Sequence, residues 1–271
     1  MTTSTSTASS AAPEVRPGPL LREWRQRRRL SQLDVSTRTG VSTRHLSCVE
    51  TGRARPSRDL LLYLAEELAM PQRATNDMLL AAGFAPVYTD LRLDDPPMST
   101  VRDVISLVLD GNDPNPTTVI DTRWNLLDAN AAALWLTTGV AAALLEPPVN
   151  IARLSLHPEG LAPRTANFTE FAGHLLRHMR EVLHSTQDPQ LAALIDECSD
   201  YAPGADRRMP VSTDVVLPID LTVGDVDLSF VSTVTSFGAS RDVNLSELSI
   251  ETLYPADEST RRTLAQRPWS S

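Results

Sequence analysis

The chain has 271 residues, a formal net charge of -9 at pH 7 and 41% hydrophobic residues. This length favours one large or two modest domains with enough apolar residues for a core, and no apolar stretch reaches the ~18–20 residues of a membrane span. Cys48 and Cys198 are too far apart to indicate a disulfide framework or a zinc site, so reduced thiols are expected, with a redox switch at Cys48 as the alternative. Residues 1–15 lack the basic start and apolar centre of a secretory signal and are predicted to be a disordered tail, which favours a cytoplasmic protein.

Positive charge is concentrated near the start of the chain. Residues 16–58 contain eleven arginines and three acidic residues, a net charge of +8 that leaves -17 for the rest. All 25 basic residues are arginine, and the sequence has no lysine. This asymmetry favours a basic module that binds a polyanion, joined to an acidic body, although an exposed arginine-rich helix face would carry the same charge.

The pattern inside this basic segment predicts short helices. The stretch LLREWRQRRRL has the narrow apolar stripe of a first helix that ends near Leu30. Ser31 is placed to cap a second helix, which Gly40 ends by adopting a left-handed backbone. Ser42 is placed to cap a third helix over residues 43–51.

Two further helices are predicted over residues 58–70 and 71–82. The short glycine-containing turn between the second and third helices is typical of a helix-turn-helix, whose second helix lies in the major groove of DNA. The segment resembles the XRE family of DNA-binding domains, related to the lambda-type repressors, through LREWRQRRRLSQ, TGVSTRHLSCVETGR and PSRDLLLYLAEEL. The resemblance implies an all-α, five-helix, lambda-repressor-like domain over residues 16–83, and a helical bundle that serves only as a protein contact is the alternative.

Candidate DNA contacts lie around the third helix. Side chains in the first turns of a recognition helix meet base edges, and Arg44 is long enough for a bidentate contact to guanine. The loop after this helix carries two arginines that are placed for phosphates. The resemblance implies that Gln32 bonds a phosphate or the outer bases of an operator. The candidates are Gln32, Ser42, Thr43, Arg44, Ser47, Arg53 and Arg55, with Arg25 or Arg28 as a further phosphate contact.

The composition changes after Gly83. The stretch GFAPVYTDLRLDDPPMS is rich in proline and aspartate and predicts a linker, and a helix with one apolar face is predicted over residues 100–109. Residues 84–112 are therefore interpreted as a linker and connecting helix, and residues 113–271 as a second domain.

The second domain is predicted to combine short strands with helices. Two strands flank a turn at residues 121–123, the second strand containing Trp124. A helix begun by the cluster of residues 128–130 follows over residues 129–137, with Asn130 as a candidate cap and a ligand contact as the alternative. Two amphipathic helices are predicted in NFTEFAGHLLRHMREVLHST and PQLAALIDEC. Strands are predicted in VVLPIDLTVGDVDLSFVSTVTSF, with a turn at Gly224, and a last strand is predicted in ELSIETLYPAD. These elements predict an α+β domain, an antiparallel sheet with helices on one side. The order of its first elements is similar to that of PAS sensor domains.

The order of the two domains resembles the MmyB-like regulators. The motifs that carry the resemblance are DTRWN at 121–125, ANAA at 129–132, LHPEGL at 156–161 and FVSTVTSFG at 230–238. The resemblance implies that the second domain binds a small apolar ligand such as a fatty acid. The ligand-binding residues that it implies are Trp124, Leu126, Trp135, Phe168 and Phe171, with His157 as a polar contact. Ordinary core positions for the aromatic residues and a turn at His157 are the alternatives.

Catalytic and metal-binding sets cannot be assigned from the spacing of residues. The absence of lysine excludes the Ser-Lys dyad of self-cleaving peptidase domains. His174, His178 and His184 lie in one predicted helix and lack the HExxH spacing of a zinc site. A metal shared by His174 and His178 with Glu170 or Glu181 is the alternative. We therefore expect no enzymatic activity, no metal and no cofactor other than a fatty-acid-like ligand.

The whole sequence predicts a cytoplasmic, nucleoid-associated transcription regulator that binds an operator in double-stranded DNA and senses a small apolar ligand. A homodimer is expected, because a single helix-turn-helix contacts too few base pairs for a unique genomic address. The alternative is a DNA-binding regulator whose second domain serves protein interaction or dimerisation and holds no small molecule.

Overall fold

The computed structural model describes residues 16–205, 217–238, 240–267 and 269. The predicted disordered tail at residues 1–15 lies outside the described residues. The chain divides into two compact units, Met1–Thr89 and Asp90–Ser271.

Five α-helices form the described part of the first unit and confirm the predicted all-α helix-turn-helix fold. The Ser31 hydroxyl accepts a hydrogen bond from the Asp34 amide, and the Asp34 carboxylate accepts one from the Ser31 amide, so that a capping box begins the second helix. Gly40, at φ +72°, ends this helix in a left-handed backbone, as predicted. The helices are α1 Pro17–Arg27, α2 Gln32–Thr39, α3 Thr43–Glu50, α4 Arg58–Glu67 and α5 Gln72–Ala81.

The core of the first unit holds α3 firmly against α1. Leu21 and Trp24 of α1 pack in one cluster with Leu46 of α3, and each of the three is at most 3% exposed. A Cβ atom at Gly18 would lie 2.5 Å from the Val49 carbonyl oxygen, so the start of α1 touches the end of α3 and only glycine fits there. One side of α3 is therefore buried, and its other side is left to face solvent.

The second unit contains a five-stranded antiparallel sheet and helices, which confirms the predicted α+β class. The strand order is β2-β1-β5-β4-β3, and all four neighbouring pairs are antiparallel. None of the described helices is long and apolar enough to span a bilayer. The α-helices and strands are α6 Ser99–Asn112, β1 Thr117–Ile120, β2 Leu126–Ala129, α7 Ala131–Leu136, α8 Ile151–Leu156, α9 Phe168–Thr186, α10 Pro189–Tyr201, β3 Ile219–Val223, β4 Val226–Ser236, α11 Val243–Ser246, β5 Ser249–Pro255 and α12 Glu258–Ala265.

Helices pack on both faces of the sheet, so the prediction of helices on one side is wrong. Successive side chains of a strand point to opposite faces. Val119 of β1 and Ile250 of β5 pack with Ile105 of α6, whereas Ile120 of β1 belongs to the cluster formed with α9 and α10. Helix α6, which lies in the segment predicted to be a linker and connecting helix (residues 84–112), is therefore part of this core.

The segment between β1 and β2 is a turn built on Asp121. The Oδ1 atom of Asp121 accepts hydrogen bonds from the amides of Arg123 and Asn125, at 2.8 and 2.9 Å. Trp124 adopts a left-handed backbone with φ 60°, and β2 begins at Leu126. The prediction that Trp124 lies in a strand is therefore wrong, because the Asp121 carboxylate binds the amides that a strand would pair with its neighbour.

Asn130 begins α7 and also joins this helix to the sheet. Its Oδ1 atom accepts hydrogen bonds from the amides of Ala133 and Thr117, at 3.0 and 2.9 Å. Its Nδ2 atom donates to the Asn115 carbonyl at 2.9 Å. The helix begins at Ala131, two residues later than predicted, and Asn130 does more than cap it.

Candidate functional sites

The predicted DNA-reading residues lie together at the N-terminal end of α3. Arg44 is exposed, and Thr43 and Ser47 are half-buried. Leu46 and Val49, which are 1% and 2% exposed, anchor the opposite side of the helix in the core. The exposed side of α3 therefore presents two small hydroxyl side chains around one long cation, a combination that suits base edges in a groove.

Ser42 acts as the N-cap of this helix. Its hydroxyl oxygen accepts a hydrogen bond from the His45 amide at 3.2 Å and so satisfies one of the unpaired amides at the start of α3. In the following loop, Arg53 and Arg55 are exposed, and the Arg53 amide donates to the Cys48 carbonyl at 2.8 Å, which holds the loop against the end of α3.

A buried ion pair lies behind this face. Arg25 Nε donates to Glu50 Oε1 at 2.6 Å and Arg25 Nη2 donates to Glu50 Oε2 at 2.9 Å. Gln32 Nε2 donates to the same Oε2 at 2.9 Å, so the pair fixes the carboxamide of Gln32 at the start of α2. Burial opposes ionisation of Glu50, but the hydrogen bonds from Arg25 and Gln32 outweigh it and lower the pKa of Glu50 below its ordinary value.

The two arginines that were predicted as further phosphate contacts, Arg25 in α1 and Arg28 directly after it, form hydrogen bonds inside the first unit. Arg25 is 9% exposed and, besides Glu50, donates to the Leu30 carbonyl at 2.8 Å. Arg28 donates from Nε to the Leu68 carbonyl at 2.8 Å and from Nη2 to the Ala69 carbonyl. The Arg25 guanidinium is therefore enclosed in the first unit, and two nitrogens of the half-buried Arg28 guanidinium bond backbone carbonyls. Sequence reasoning counted these charges without knowing which of them pack against the fold.

The second unit encloses a space that we call the apolar cavity, with a volume of about 280 Å³. Small-molecule sites are usually concave, mostly apolar and roughly 300–1,000 Å³ in volume, so this cavity lies just below that range. Its walls come from the sheet and from α7, α8 and α9. Prominent lining residues are Leu126, Leu134, Leu154, Phe171, Leu221 and Leu253.

A second space, which we call the polar cavity, adjoins the first and has a volume of about 380 Å³. Its polar lining residues include Asp121, His174, His178, Ser232 and Ser249. Five residues line both spaces, namely Trp124, Phe171, Leu175, Ile219 and Glu251. The two cavities therefore share a wall, and their combined lining changes from apolar at one end to polar at the other.

Glu251 of β5 stands at the shared wall. The Ser232 hydroxyl of the neighbouring strand β4 donates to Glu251 Oε1. Burial raises the pKa of the Glu251 carboxyl, and the Ser232 hydrogen bond and the charge of His178 oppose this only in part. The sheet thus places an ionisable group in an environment that favours its neutral form.

The imidazoles of the polar cavity come from one side of α9. Burial lowers the pKa of His174, and repulsion by Arg177 and His178 lowers it further, so His174 is neutral at pH 7. His178 Nδ1 lies 3.7 Å from Glu181 Oε2, and its ring meets the Trp124 ring edge to face at 5.6 Å. Within the described residues, no group of three or more His, Cys, Asp or Glu is arranged to hold a metal ion.

Three of the six predicted ligand contacts, Trp124, Leu126 and Phe171, line the apolar cavity. The other three do not. Trp135 packs edge to face on Trp269 at 5.7 Å and carries Arg267 over its ring at 3.9 Å. His157 Nδ1 accepts from the Glu159 amide at 3.0 Å, which is the turn role, and Phe168 packs against the cluster around α9 and α10.

Sequence reasoning missed the contribution of β5 to both cavities. Glu251 and Leu253 line the apolar cavity, and Ser249 and Glu251 line the polar one. The intervening residues Ile250 and Thr252 are 4% and 5% exposed and point away. A glutamate in the middle of an otherwise alternating strand was the signal that could have identified this position.

Comparison with known families agrees with this arrangement. A model of the MmyB-like transcription regulator ligand binding domain matches residues 101–266, and a model of a helix-turn-helix domain matches residues 18–77. The first match begins inside α6, in keeping with the place of that helix in the second unit. Comparison with curated proteins gives no significant match. Both matched domains are parts of a transcription regulator rather than of an enzyme.

Proposed function

We propose that this chain, which belongs to the MmyB-like transcription regulators, reads an operator with α3 and is controlled by a small apolar molecule in its second unit. The observation that carries the proposal is the apolar cavity, enclosed in the same chain that carries a helix-turn-helix. The molecule is fatty-acid-like in having an alkyl chain, which matches the leucine-rich walls. A second domain that only recruits a protein partner has no need of such a space.

In this proposal, α3 divides its work between bases and phosphates. Arg44 makes a bidentate contact to guanine, and Thr43 and Ser47 approach the neighbouring base edges. Arg53 and Arg55 contact phosphates, which position the domain without reading sequence. Gln32 bonds the outer end of the half-site, and the exposed position of these arginines supports their roles.

The regulator acts as a homodimer in this proposal. Helix-turn-helix dimers bind two half-sites about one helical turn, ~34–36 Å, apart, so that the symmetry of the operator mirrors that of the protein. Footprinting is expected to show two protected half-sites, and sedimentation at operator-saturating concentration is expected to show a dimer. One undivided protected half-site together with a monomer mass would contradict this part of the proposal.

The central experiment measures DNA affinity and ligand content together. A ligand controls DNA binding only if it binds the DNA-binding conformation of the protein and the inactive conformation with different affinities. The coupling free energy between two such sites is typically about 1–3 kcal/mol. Purified protein is extracted with organic solvent, the extract is identified by mass spectrometry, and the identified compound is titrated with and without operator DNA. We expect about 5- to 150-fold different dissociation constants in the two titrations.

A cavity-filling variant provides the control. Ala133→Phe places an aromatic ring in the apolar cavity, whereas Ala193→Phe places the same ring on the exposed side of α10. We expect Ala133→Phe to carry no extractable compound and to show no coupling, and Ala193→Phe to behave like the wild type. Equal dissociation constants with and without DNA in the wild type would show that the cavity does not regulate DNA binding.

A further inference from the structure

Helix α6 is apolar on two sides, and only one of them is buried. Ile105 and Leu109 are 1% and 5% exposed and belong to a cluster formed with β1 and β5. Val104 and Leu107 are three residues apart and therefore share another side of the helix, where they are 41% and 70% exposed. Among the large hydrophobic side chains that the structure describes, Leu107 is the most exposed. A partner that covers this side would remove apolar surface from water.

The exposed side of α6 is turned toward β5 and β4. Ser106, on the other side of the helix from Val104, borders a cleft with Leu127 of the edge strand β2. At the end of α6, Asn112 Oδ1 accepts a hydrogen bond from the Tyr254 hydroxyl of β5 at 3.1 Å. In the sheet, β4 follows β5 on the side away from β2. The exposed side of α6 therefore lies beside the same face of β4.

Strand β4 adds an uncharged polar part to this surface. Thr233 pairs with Thr252, and Thr235 pairs with Ile250, so both threonines point to the face of the sheet on which α6 packs. Thr233 and Thr235 are exposed, whereas Thr252 and Ile250 are 5% and 4% exposed. Helix and strand thus form one surface, which we call the outer face. Its residues are Val104, Leu107, Thr233, Thr235 and Tyr254.

The charge of the second unit favours a second copy of this chain as the occupant of the outer face. Residues 90–271 contain 26 acidic residues and 13 arginines, a net charge of -13. Two such units repel one another, and a twofold dimer brings the same surface of both copies together. The five residues of the outer face are uncharged, and the exposed Asp103 and Asp110 of α6 lie at its border. The outer face is therefore a place where two acidic units can meet with little repulsion.

The same pattern argues against a basic partner. A basic protein or peptide gains most where acidic residues are dense, and the centre of the outer face offers it none. An uncharged centre with charged residues at the rim is instead typical of a stable protein interface, whose core is depleted of charged side chains.

We propose that the chain dimerises through the outer face, with the exposed side of α6 in one copy packed on the outer face of the other. This inference rests on the proposed function, which requires a second copy at the second half-site, and it names the surface that joins the two copies. Leu107 gains most from the contact, because it has the largest exposed fraction to bury.

The test measures the dimer dissociation constant of the full-length protein by analytical ultracentrifugation at several concentrations. Leu107→Glu and Thr233→Glu each place a negative charge on the outer face of both copies, and like charges across an interface oppose association. We expect each variant to raise the dissociation constant about tenfold or more. Both side chains are exposed, so the circular dichroism spectrum should match that of the wild type.

Leu80→Glu is the matched control. Leu80 is an exposed leucine on helix α5 of the first unit, with 57% of its surface accessible. The same substitution there should leave the dimer dissociation constant unchanged. A loss of the dimer in Leu80→Glu but not in the two outer-face variants would overturn the inference and assign the interface to the first unit.

Binding to DNA provides a second readout that misfolding would not imitate. Leu107→Glu should bind a duplex with one half-site as well as the wild type does, because its helix-turn-helix is unchanged. It should bind an operator with two half-sites about tenfold or more weakly, because the two copies no longer support each other on the DNA. Equal losses on both duplexes would overturn the inference, since they would show damage to the DNA-binding unit itself.

Two further outcomes separate this inference from the proposed function. A dimer that persists in both Leu107→Glu and Thr233→Glu would overturn the outer face as the interface and leave the homodimer intact. A wild type that stays monomeric at concentrations that saturate the operator would contradict the homodimer of the proposed function, and this inference with it.

Discussion

Arg25 and Glu50 in the first unit and Glu251 in the second are ionisable side chains enclosed by protein, but their surroundings differ. The first pair is closed by two mutual hydrogen bonds, with further bonds to Leu30 and Gln32. Glu251 has one donor, Ser232, and faces open space. A buried pair whose hydrogen bonds are complete stabilises a fold, whereas an ionisable side chain that lines a cavity can contact a molecule bound there.

The largest expected loss of stability comes from breaking the buried ion pair between Arg25 and Glu50. Glu50→Ala leaves the Arg25 guanidinium buried without its carboxylate partner, and removal of one member of a buried pair typically costs about 3–5 kcal/mol. We expect the free energy of unfolding of the first unit to fall by about this amount. Denaturant unfolding, followed by amide hydrogen exchange in each unit, measures it.

An exposed pair in the same unit serves as the control. Arg27 contacts Glu23 one helical turn away on α1, and the Glu23 side chain is 52% exposed. Glu23→Ala should cost only about 0–1 kcal/mol, because water and salt screen an exposed pair. Equal losses for the two variants would show that burial of Glu50 is not what makes its pair important.

Arg44 and Arg53 should separate base reading from phosphate contact. Arg44→Ala is expected to cost about 1–3 kcal/mol of specific DNA affinity and to relax the sequence preference at one position. Arg53→Ala is expected to weaken all sequences alike and to reduce the slope of log affinity against log salt by about one. Binding of operator and random DNA, each measured at several salt concentrations, distinguishes these roles, and equal losses on both DNAs for both variants would contradict the assignment.

Variants of Ser42 can separate its role as the cap of α3 from its predicted contact with DNA. Ser42→Ala removes the acceptor for the His45 amide and should destabilise the first unit by about 1 kcal/mol. Ser42→Asp keeps a capping oxygen, so stability should be retained, but its negative charge should weaken DNA binding. If Ser42→Asp binds DNA as well as the wild type, Ser42 does not lie against the phosphate backbone.

The smallest change in stability is expected at the ion pair between Arg153 and Glu197, on the surface of the second unit. Hydrogen bonds from Arg153 lower the pKa of Glu197 from 4.5 to about 2, against the opposing effect of burial, and the Tyr201 hydroxyl donates to the same carboxylate at 2.6 Å. Because the pKa of Glu197 is lower in the folded than in the unfolded state, its ion pair with Arg153 stabilises the fold fully above pH 4.5. This stabilisation is lost as the pH falls toward about 2.

Glu197→Gln should therefore be less stable than the wild type at pH 7, and the difference should shrink as the pH falls from 4.5 to about 2. The difference at pH 7 should stay below about 1 kcal/mol, since the Glu197 side chain is 34% exposed and its charge is screened. Thermal unfolding of both proteins across this pH range is the measurement. A difference that stays constant would show that the pair does not lower the pKa of Glu197.

Local signals were enough to predict the first unit. Serines at positions 31, 42 and 57 cap the second, third and fourth helices, and Gly40 ends the second helix, because caps and left-handed glycines act through neighbours within four residues. The same short range explains why the exposed side of α3 could be predicted from sequence. The buried partner of Arg25 could not, because Glu50 is 25 residues away.

The sequence by itself determined the helix-turn-helix, the number and type of most elements in the second unit, and the family of its ligand-binding domain. Only the tertiary structure decided that α6 packs on the sheet, that Trp135 lies outside the cavity, and that Glu251 faces into it. A cavity is what remains when elements distant in sequence pack around a space, so its lining depends on strand register and helix placement. In this chain, the register that pairs Thr118 with Glu251 across β1 and β5 puts both side chains on the cavity face.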